Sequence, residues 1–149
     1  TKPDLIFNKE GICNACTNYL NRPRINWNSR LDELHKLVDN NKNSDGWDCV
    51  IPISGGKDSH YQTIKMLEYG MNPLVVNVIP DKLADIGRYN IENLKKLGVD
   101  TIEVSLNPNI RRKINKFALE TVGDISWPEH NTIFTVPARF SVNLNIPLF

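Results

Sequence analysis

A short apolar run that ends in a polar, glycine-containing turn constrains this chain more than any other stretch. The run, Cys49–Ile53, has the composition of a buried parallel strand, and Tyr61–Tyr69 can form a helix that Gly70 ends. The turn between them, Ser54–Ser59, therefore joins a strand to a helix. Its two glycines let backbone N–H groups approach an anion closely, and the free N–H groups at a helix start attract negative charge. The sequence thus predicts a phosphate-binding turn.

The spacing within the turn excludes the Walker A loop of nucleoside triphosphatases. That loop requires a glycine five residues before Gly56 and a Ser or Thr after the lysine, whereas this chain has Ile51 and Asp58 at those positions. Ser54–Ser59 instead resembles the S-G-G-x-D-S pyrophosphate loop of the N-type ATP pyrophosphatases, which attack the α-phosphate of ATP. An ordinary glycine turn is the weaker alternative.

Composition narrows the class of protein. The 149 residues carry 18 basic and 17 acidic side chains, a formal net charge of +1, so no basic field favours nucleic acid. No apolar run approaches the roughly 20 residues that cross a bilayer, and the start of the sequence lacks a signal-peptide layout. Three cysteines, an odd number, argue against a secreted disulfide framework. We expect a soluble cytoplasmic protein without a nucleic-acid or membrane partner.

Short apolar stretches alternate with helical ones from Asp48 onward, which predicts an α/β fold with a doubly wound, Rossmann-like parallel sheet. Ligands of such sheets bind at the carboxyl ends of the strands, where Ser54–Ser59 lies. We divide the chain into residues 1–47, a C-x-x-C segment plus a helix, and residues 48–149, the sheet domain. The expected strands are 49–53, 72–79, 101–106 and the start of another at 146–149; the expected helices are 26–40, 61–69, 85–97, 109–122 and 131–143.

Helical periodicity assigns several side chains to the core or to the surface. In the first long helix Asn26 caps the start and His35 falls on the polar side, while the apolar face consists of Trp27, Leu31, Leu34, Leu37 and Val38. The expected apolar faces of helices 85–97 and 109–122 consist of Ile86, Ile91, Leu94 and Leu97, and of Ile110, Ile114, Phe117, Ala118 and Val122. Cys49 is expected to be a small buried hydrophobe. We expect solvated helix surfaces at Arg111, Arg112, Lys113 and Arg139, and an irregular linker over residues 123–130.

Cys13 and Cys16 form a C-x-x-C pair that resembles half of a zinc knuckle. A closed structural zinc site needs four ligands, and no spacing in the sequence recruits another pair. Three interpretations therefore stay open: half of a four-cysteine zinc site, a redox pair, and two unligated thiols. A redox pair normally opens a helix after a strand, which the residues before Cys13 do not suggest.

The chain as a whole resembles the N-acetyl sugar amidotransferase family of the N-type ATP pyrophosphatases, whose fold is adenine nucleotide alpha hydrolase-like. The resemblance implies an enzyme that uses ATP to convert a sugar acetamido group into an acetamidino group. Such sugars, related to pseudaminic and legionaminic acids, enter bacterial surface glycans and lipopolysaccharide. The motifs that carry the resemblance are residues 11–16 (G-I-C-N-A-C), 25–27 (I-N-W), 48–59, 86–90 (I-G-R-Y-N), 92–94 (E-N-L), 97–100 (L-G-V-D) and 127–130 (W-P-E-H).

The resemblance assigns ATP and Mg²⁺ to the turn. Backbone N–H groups around Gly55 and Gly56 would hold pyrophosphate, Ser54 and Ser59 would donate hydroxyl hydrogen bonds, and Lys57 would offset negative charge. Asp58 would either ligate Mg²⁺ or brace the loop from the helix start. Catalysis would depend on Lys57, Asp58 and Ser59.

Other residues are candidates for binding adenosine and sugar. Asn77 lies near the end of the second strand, where related folds receive adenosine, although an asparagine there can simply satisfy backbone groups. Trp127 offers a stacking face, and Glu129 or His130 can hydrogen-bond sugar hydroxyls or transfer a proton. The alternative is that Trp127 packs in the core and His130 starts a helix. Arg88 and Asn90 match the family; Arg88 is a candidate substrate residue, and Asn90 has no assigned role.

The resemblance also sets expectations about partners. Ammonia would come from a separate glutaminase subunit, and the sequence leaves the oligomeric state open. Family members usually carry another C-x-x-C upstream and continue past the last strand, so we expect the sequence to be the front portion of a longer protein. The rival classes are a tRNA-thiolation enzyme with the same loop and a non-catalytic nucleotide-binding module.

Overall fold

Three parallel strands form one sheet. The structure, a computed structural model, describes residues 3–43, 45–79 and 83–149. Its strands are β1 (Cys49–Ile53), β2 (Pro73–Ile79) and β3 (Asp100–Ser105). Its helices are α1 (Asn14–Leu20), α2 (Trp27–Asn40), α3 (Lys57–Glu68), α4 (Asp85–Lys95), α5 (Pro108–Val122) and α6 (Trp127–Asn143).

The strands lie in the order β1-β2-β3, and both pairs are parallel. β2 is the central strand of the three, and Leu74, Val75 and Val76 are each at most 1% exposed. In the register of the sheet, Ile53 of β1 pairs with Asn77 of β2, which in turn pairs with Glu103 of β3. The expectation of a parallel α/β sheet flanked by helices is therefore confirmed.

Helices cover both faces of this sheet. On one face Leu74 and Val76 form a core cluster with Val50, against which Phe140 of α6 packs. Because side chains alternate along a strand, Glu103 points to the face opposite its neighbour Ile102, which also packs on that cluster. Glu103 binds two side chains of α4, so α4 lies on the second face.

The end of the chain forms a single bridge with the sheet where the sequence predicted a strand. Leu148 pairs with Cys49 in parallel, and the backbone N–H of Val50 donates to the Leu148 carbonyl at 2.9 Å. Leu148 therefore lies on the edge of β1 that β2 does not occupy. Pro52 faces this same edge, two residues after Val50, and has no N–H to donate.

Two predicted helix starts are wrong. Residues 127–130, expected in an irregular linker, are the first turn of α6, which begins at Trp127 and not at Asn131. Pro128 is the physical reason, because proline in the first helical turn fits the helical φ and removes an N–H that would have no intrahelical acceptor. The start of α3 at Lys57 likewise precedes the expected one at Tyr61.

The helices bury narrower stripes than their periodicity predicted. Val38 is the buried residue of α2 and Ala118 that of α5, and in α4 Ile91 and Leu94 are fully buried. Predicted apolar-face residues that are at least two-fifths exposed include Trp27, Leu31, Leu37, Ile86, Leu97, Ile110, Ile114, Phe117 and Val122.

In the described parts of the chain, no helix combines the length and apolar character needed to cross a membrane.

The contact pattern divides the chain into two compact units, and the boundary between them in the sequence falls after Leu34, within α2. In the first unit an antiparallel bridge joins Phe7 to Cys13, just before α1. Asn26 accepts a hydrogen bond from the Ser29 N–H through its side chain, as a cap of α2 should. The expected domain boundary after Trp47 stays a prediction.

A buried carboxylate fixes the approach to β1. Asp48 is 3% exposed and accepts backbone N–H hydrogen bonds from Asn43 at 2.5 Å and from Asn72 at 2.6 Å. Since Asn72 directly precedes β2, this carboxylate holds the starts of the two strands together.

We expect Asp48→Ala to lower the free energy of unfolding by about 2–5 kcal/mol, because it leaves two backbone N–H groups without their charged acceptor. Urea denaturation measures the change. Asp45→Ala is the matched control, since Asp45 is exposed, and it should change stability by less than about 0.5 kcal/mol. Equal effects of the two variants would contradict the role of Asp48.

Candidate functional site

The Ser54–Ser59 turn lies at the carboxyl end of β1, where the order of the sheet reverses. The chain runs from β1 outward to β3 and then returns to bridge the other edge of β1 through Leu148. Crevices at such reversal points are the usual ligand sites of open α/β sheets. Gly56 is the N-cap of α3, and no side chain of the described residues caps this helix. The first N–H groups of α3 are therefore available to an anion.

Gly55 sets the path of the turn by packing closely on α4. Its φ of +80° lies in the left-handed region, and a Cβ there would be 3.2 Å from both the Gly87 carbonyl oxygen and Ile91 Cγ1. The same Cβ would be 3.5 Å from Asn90 Cβ. Two residues of the I-G-R-Y-N motif, Gly87 and Asn90, thus contact the turn by packing. Sequence reasoning had found no role for Asn90.

Ser59 braces the turn from inside α3. Its hydroxyl accepts the backbone N–H of Ser54 at 3.1 Å, and the residue is 8% exposed. The hydroxyl proton stays available for donation, because accepting one hydrogen bond does not use it. One turn later in the same helix, Thr63 donates to the Ser59 carbonyl at 2.8 Å. The Ser59 hydroxyl, which was predicted to donate to pyrophosphate, therefore also accepts a hydrogen bond that holds the turn.

Lys57 and Asp58 project into solvent. Lys57 Nζ lies 3.0 Å from Asp58 Oδ1, and the side chains are 90% and 93% exposed. An ion pair this exposed contributes little to stability, so both groups are free to turn toward a ligand. Asp58 lies in the first turn of α3, and both of its expected roles, Mg²⁺ ligand and brace at the helix start, stay predictions. A carboxylate of this kind fits Mg²⁺, which is commonly held by one or two carboxylates plus phosphate oxygens.

A small cavity of about 160 Å³ opens between the turn and α6. Ser54 and Ser59 line one side, and Ile133 and Phe134 of α6 line the other. Sequence reasoning missed these two apolar residues, because nothing local distinguishes them from ordinary core positions. His60 was also missed: its Nδ1 lies 3.0 Å from the Gly56 carbonyl oxygen, beside the turn.

Asn77 lies deeper than its predicted role suggested. It is 1% exposed and pairs in register with Ile53, the last residue of β1. Among the described residues, no atom accepts a hydrogen bond from its Nδ2. Both expectations for Asn77, that it satisfies backbone groups and that it binds adenosine, stay predictions.

Arg88 joins α4 to the sheet. Arg88 Nη1 and Lys95 Nζ each lie 2.6 Å from the Glu103 carboxylate, one on each oxygen. Hydrogen bonds from Lys95 and Arg88 lower the pKa of Glu103 below its ordinary value. Arg88 thereby fixes the helix whose Gly87 and Ile91 touch the turn.

Glu129 belongs to a half-buried cluster between α5 and α6. Arg111 Nη1 donates to its Oε1 at 2.8 Å and Asn115 Nδ2 donates to the same oxygen at 2.6 Å. The Arg111 and Glu129 side chains are only 15% and 16% exposed, so the expectation of a solvated Arg111 is wrong. The pairing partner lies 18 residues away, on the next helix, where helical periodicity gives no signal. Trp127, at 48%, and His130 are exposed, so the alternative of a core tryptophan is also wrong.

Cys13 and Cys16 lie together at the start of α1. The backbone N–H of Cys16 donates to Cys13 Sγ at 3.4 Å, which lowers the pKa of the Cys13 thiol. The hydrogen bond to Cys13 and the charge of that sulfur raise the pKa of Cys16. Among the described residues, no cluster of three or more His, Cys, Asp or Glu side chains is placed to hold a metal ion. Two thiols alone do not make the four-ligand structural zinc site.

Comparison of the sequence with protein-family models and with curated proteins finds no match.

We expect Gly55→Ala to destabilise the protein more than Gly98→Ala. Both glycines have positive φ, +80° and +83°, so both variants carry the backbone strain of about 1–2 kcal/mol. A Cβ at Gly98 would meet nothing within 4 Å, whereas one at Gly55 would press on α4 and add about 1–3 kcal/mol of overpacking. Urea denaturation of the two variants isolates the contact. Equal losses would show that the Gly55 approach to α4 is not a constraint.

The alkylation rates of the three cysteines should follow the directions in which their pKa values are shifted. Cys13 should be alkylated by iodoacetamide faster than Cys16, because the thiolate is the reactive form. Cys49, which is 4% exposed and whose pKa burial raises to about 11, should react only after unfolding. Peptide mass spectrometry over a time course at mildly alkaline pH measures the order. Faster labelling of Cys16 would contradict the hydrogen-bond assignment.

Proposed function

We propose that Ser54–Ser59 binds the pyrophosphate part of ATP, and that the protein takes part in the ATP-dependent amidation of an N-acetylated sugar. The observation that carries the nucleotide proposal is the uncapped start of α3 behind a glycine turn at the carboxyl end of β1. The S-G-G-K-D-S spacing supports pyrophosphate over a generic anion. The acetamido sugar rests on the resemblance of the flanking motifs.

The proposed reaction has two steps. The acetamido oxygen of the sugar forms a bond to the α-phosphorus of ATP, and the bond to the departing pyrophosphate breaks. Ammonia then attacks the activated carbon, AMP leaves, and a proton is lost, so that nitrogen replaces oxygen in an acetamidino group. Activation by ATP is needed because an unactivated amide is a poor electrophile. Transfer of this kind depends mainly on positioning and on stabilisation of charge.

The residues of the turn have separate roles in this proposal. N–H groups from Gly55 to Ser59 bind the departing pyrophosphate, and the hydroxyl groups of Ser54 and Ser59 donate to its oxygens. Lys57, which is almost fully exposed, turns from Asp58 toward the phosphates. Asp58 would hold Mg²⁺, which when bound neutralises charge on the phosphate oxygens.

We extend the proposal to the fold, the zinc site, the source of ammonia and the compartment. The sheet with its flanking helices is compatible with the adenine nucleotide alpha hydrolase-like fold that the resemblance implies. Binding of Zn²⁺ by Cys13 and Cys16 would require two further ligands. Ammonia would come from a separate glutaminase subunit, and the reaction would take place in the cytoplasm.

We expect Lys57→Ala to lower ATP–pyrophosphate exchange by about a hundredfold or more, the usual effect of removing one group that stabilises transferred charge. Exchange is measured as incorporation of labelled pyrophosphate into ATP with acetamido sugars present. Lys65→Ala is the matched control, because Lys65 lies two turns along α3 and pairs with Glu68. It should retain exchange.

Three kinds of result would overturn parts of the proposal. Exchange that survives Lys57→Ala would exclude the turn as the pyrophosphate site. Exchange that is indifferent to the acetamido group, or that tRNA stimulates, would exclude the sugar and favour another adenylating enzyme. Tight ATP binding without any exchange would favour a non-catalytic nucleotide-binding module.

A further inference from the structure

One face of α5 is apolar and exposed. The helix packs on α6, and its buried residue is Ala118. Beside this contact Ile110, Ile114 and Phe117 are 57%, 43% and 65% exposed. Their spacing of four and three residues continues to Thr121, which gives the repeat typical of a helix that packs along a second helix. These four residues, 110, 114, 117 and 121, form the α5 stripe.

Thr121 suits an apolar contact although its side chain is polar. Its hydroxyl donates to the Phe117 carbonyl oxygen at 2.7 Å within the helix, so it needs no partner outside α5. The methyl group of Thr121 remains to pack against a neighbour. The α5 stripe is therefore one continuous apolar surface on a helix of 15 residues.

The two flanks of the α5 stripe differ in accessibility. One flank consists of Arg111, whose Nη1 donates to Glu129 of α6 at 2.8 Å, and of Ala118, which is 2% exposed. The other flank consists of Lys113 and Glu120, which are both exposed. In heptad terms the stripe occupies positions d and a, the closed flank e, and the open flank g. A second helix can therefore contact the stripe and the g flank while α6 keeps the e flank.

The charges of the open flank select the orientation of such a helix. Lys113 and Glu120 lie at successive g positions and have opposite charges. In an antiparallel pair of helices g faces g of the partner, whereas in a parallel pair g faces e, which α6 covers here. Antiparallel pairing of two α5 helices places Lys113 beside the partner's Glu120 and, through the two-fold axis, Glu120 beside the partner's Lys113. The α5 helix is thus complementary in charge to a second copy of itself.

Glu120 is only weakly held within its own helix. Its Oε1 lies 3.8 Å from Lys116 Nζ, and the two side chains are 61% and 76% exposed. An exposed pair of this kind contributes little to stability. Glu120 can therefore exchange Lys116 for a cation of another chain at little cost in free energy.

We propose that the α5 stripe is the contact of a symmetric dimer, in which α5 of one chain packs antiparallel on α5 of a second copy. Ile114 packs against the partner's Phe117 and Ile110 against the partner's Thr121, each twice by symmetry. Two pairs between Lys113 and Glu120 close one side of the contact. The dimer is a property of α5 and does not depend on the proposed nucleotide site.

A cavity beside the α5 stripe extends the contact onto α6. Ile110 and Ile114 line this cavity of about 270 Å³ together with Pro128 and Thr132 of α6. Because Ile110 contacts the last turn of the partner's α5, the partner's Val122 lies over the cavity. Val122 is 59% exposed in the single chain, so the dimer removes a further apolar side chain from water.

Sedimentation equilibrium of the full chain tests the dimer. We expect a reversible monomer–dimer equilibrium with a dissociation constant below about 1 mM, because a contact of one helix is at the small end of specific interfaces. A chain that remains monomeric at that concentration would overturn the proposal. Assembly into larger or open-ended oligomers would also overturn it, since an isologous contact closes at two copies.

Exchange of charges tests the antiparallel orientation. Lys113→Glu places two pairs of like charge across the two-fold axis and should weaken dimerisation about tenfold or more, and Glu120→Lys should do the same. The double variant should restore dimers, and so should an equimolar mixture of the two single variants, because opposite charges face each other again. Arg112→Glu makes the same charge change at an exposed f position, which faces away from the stripe, and should leave dimerisation unchanged. If neither the double variant nor the mixture restores dimers, the antiparallel contact is excluded.

A pair of apolar positions tests the α5 stripe itself. Phe117→Glu should abolish dimerisation, because it places a charge in the centre of the contact. Leu119→Glu is the matched control, since Leu119 is 49% exposed but lies at an f position, and it should retain the dimer. Both positions are exposed, so both variants should keep the circular dichroism spectrum of the folded chain. A dimer that survives Phe117→Glu, or that Leu119→Glu disrupts equally, would show that the α5 stripe is not the contact.

Discussion

The close approach of Gly55 to α4 is the contact on which the candidate site depends. Without a Cβ, Gly55 can take positive φ and lie against the Gly87 carbonyl and Ile91, and this sets where the chain enters α3. The position of α4 in turn depends on β3, because Glu103 binds both Arg88 and Lys95. The geometry of the Ser54–Ser59 turn, which follows β1, therefore depends on an ion-pair cluster that extends to β3.

Charged side chains occur in two kinds of environment, at contacts with helices and in open solvent. Glu103 and Glu129 are each bound by two donors at helix contacts, so their carboxylates are committed to holding elements in place. Among the described residues, Lys57 and Asp58 pair only with each other, and both are almost fully exposed. A side chain that exchanges its partner for a ligand should lose little free energy when the original pair separates. An exposed pair meets this condition because water already screens the attraction between its two charges.

Local pattern was sufficient to predict most of the fold. Apolar runs located all three strands, and glycine spacing placed the turn between β1 and α3. Periodicity failed where the deciding contact is distant in sequence: it put Arg111 on a solvated face, although Glu129 on the next helix binds it. It also could not say how much of an apolar stripe is covered, since Ile114 and Phe117 share a predicted face with buried Ala118 and remain exposed.

The residues of the turn could be predicted from the sequence, but the α6 side chains that line the cavity beside it could not. Ser54 to Ser59 could be found because phosphate binding demands a fixed spacing of glycines and hydroxyls. Ile133 and Phe134 could not, since an apolar residue becomes part of a site only through the packing of α6 on β1. Gly87 and Asn90 were noted by resemblance, and the Gly87 carbonyl oxygen and Asn90 Cβ limit the space for a side chain at Gly55.

Pro52 has a consequence for the free edge of β1. The hydrogen bond from Val50 to Leu148 begins a ladder on that edge, and the next donor in line would be the nitrogen of residue 52. Since proline has no N–H, a neighbouring backbone cannot continue its hydrogen-bonded pairing with β1 beyond Val50. The ladder is interrupted two residues before Ser54, and so the mouth of the turn is kept clear of a competing chain.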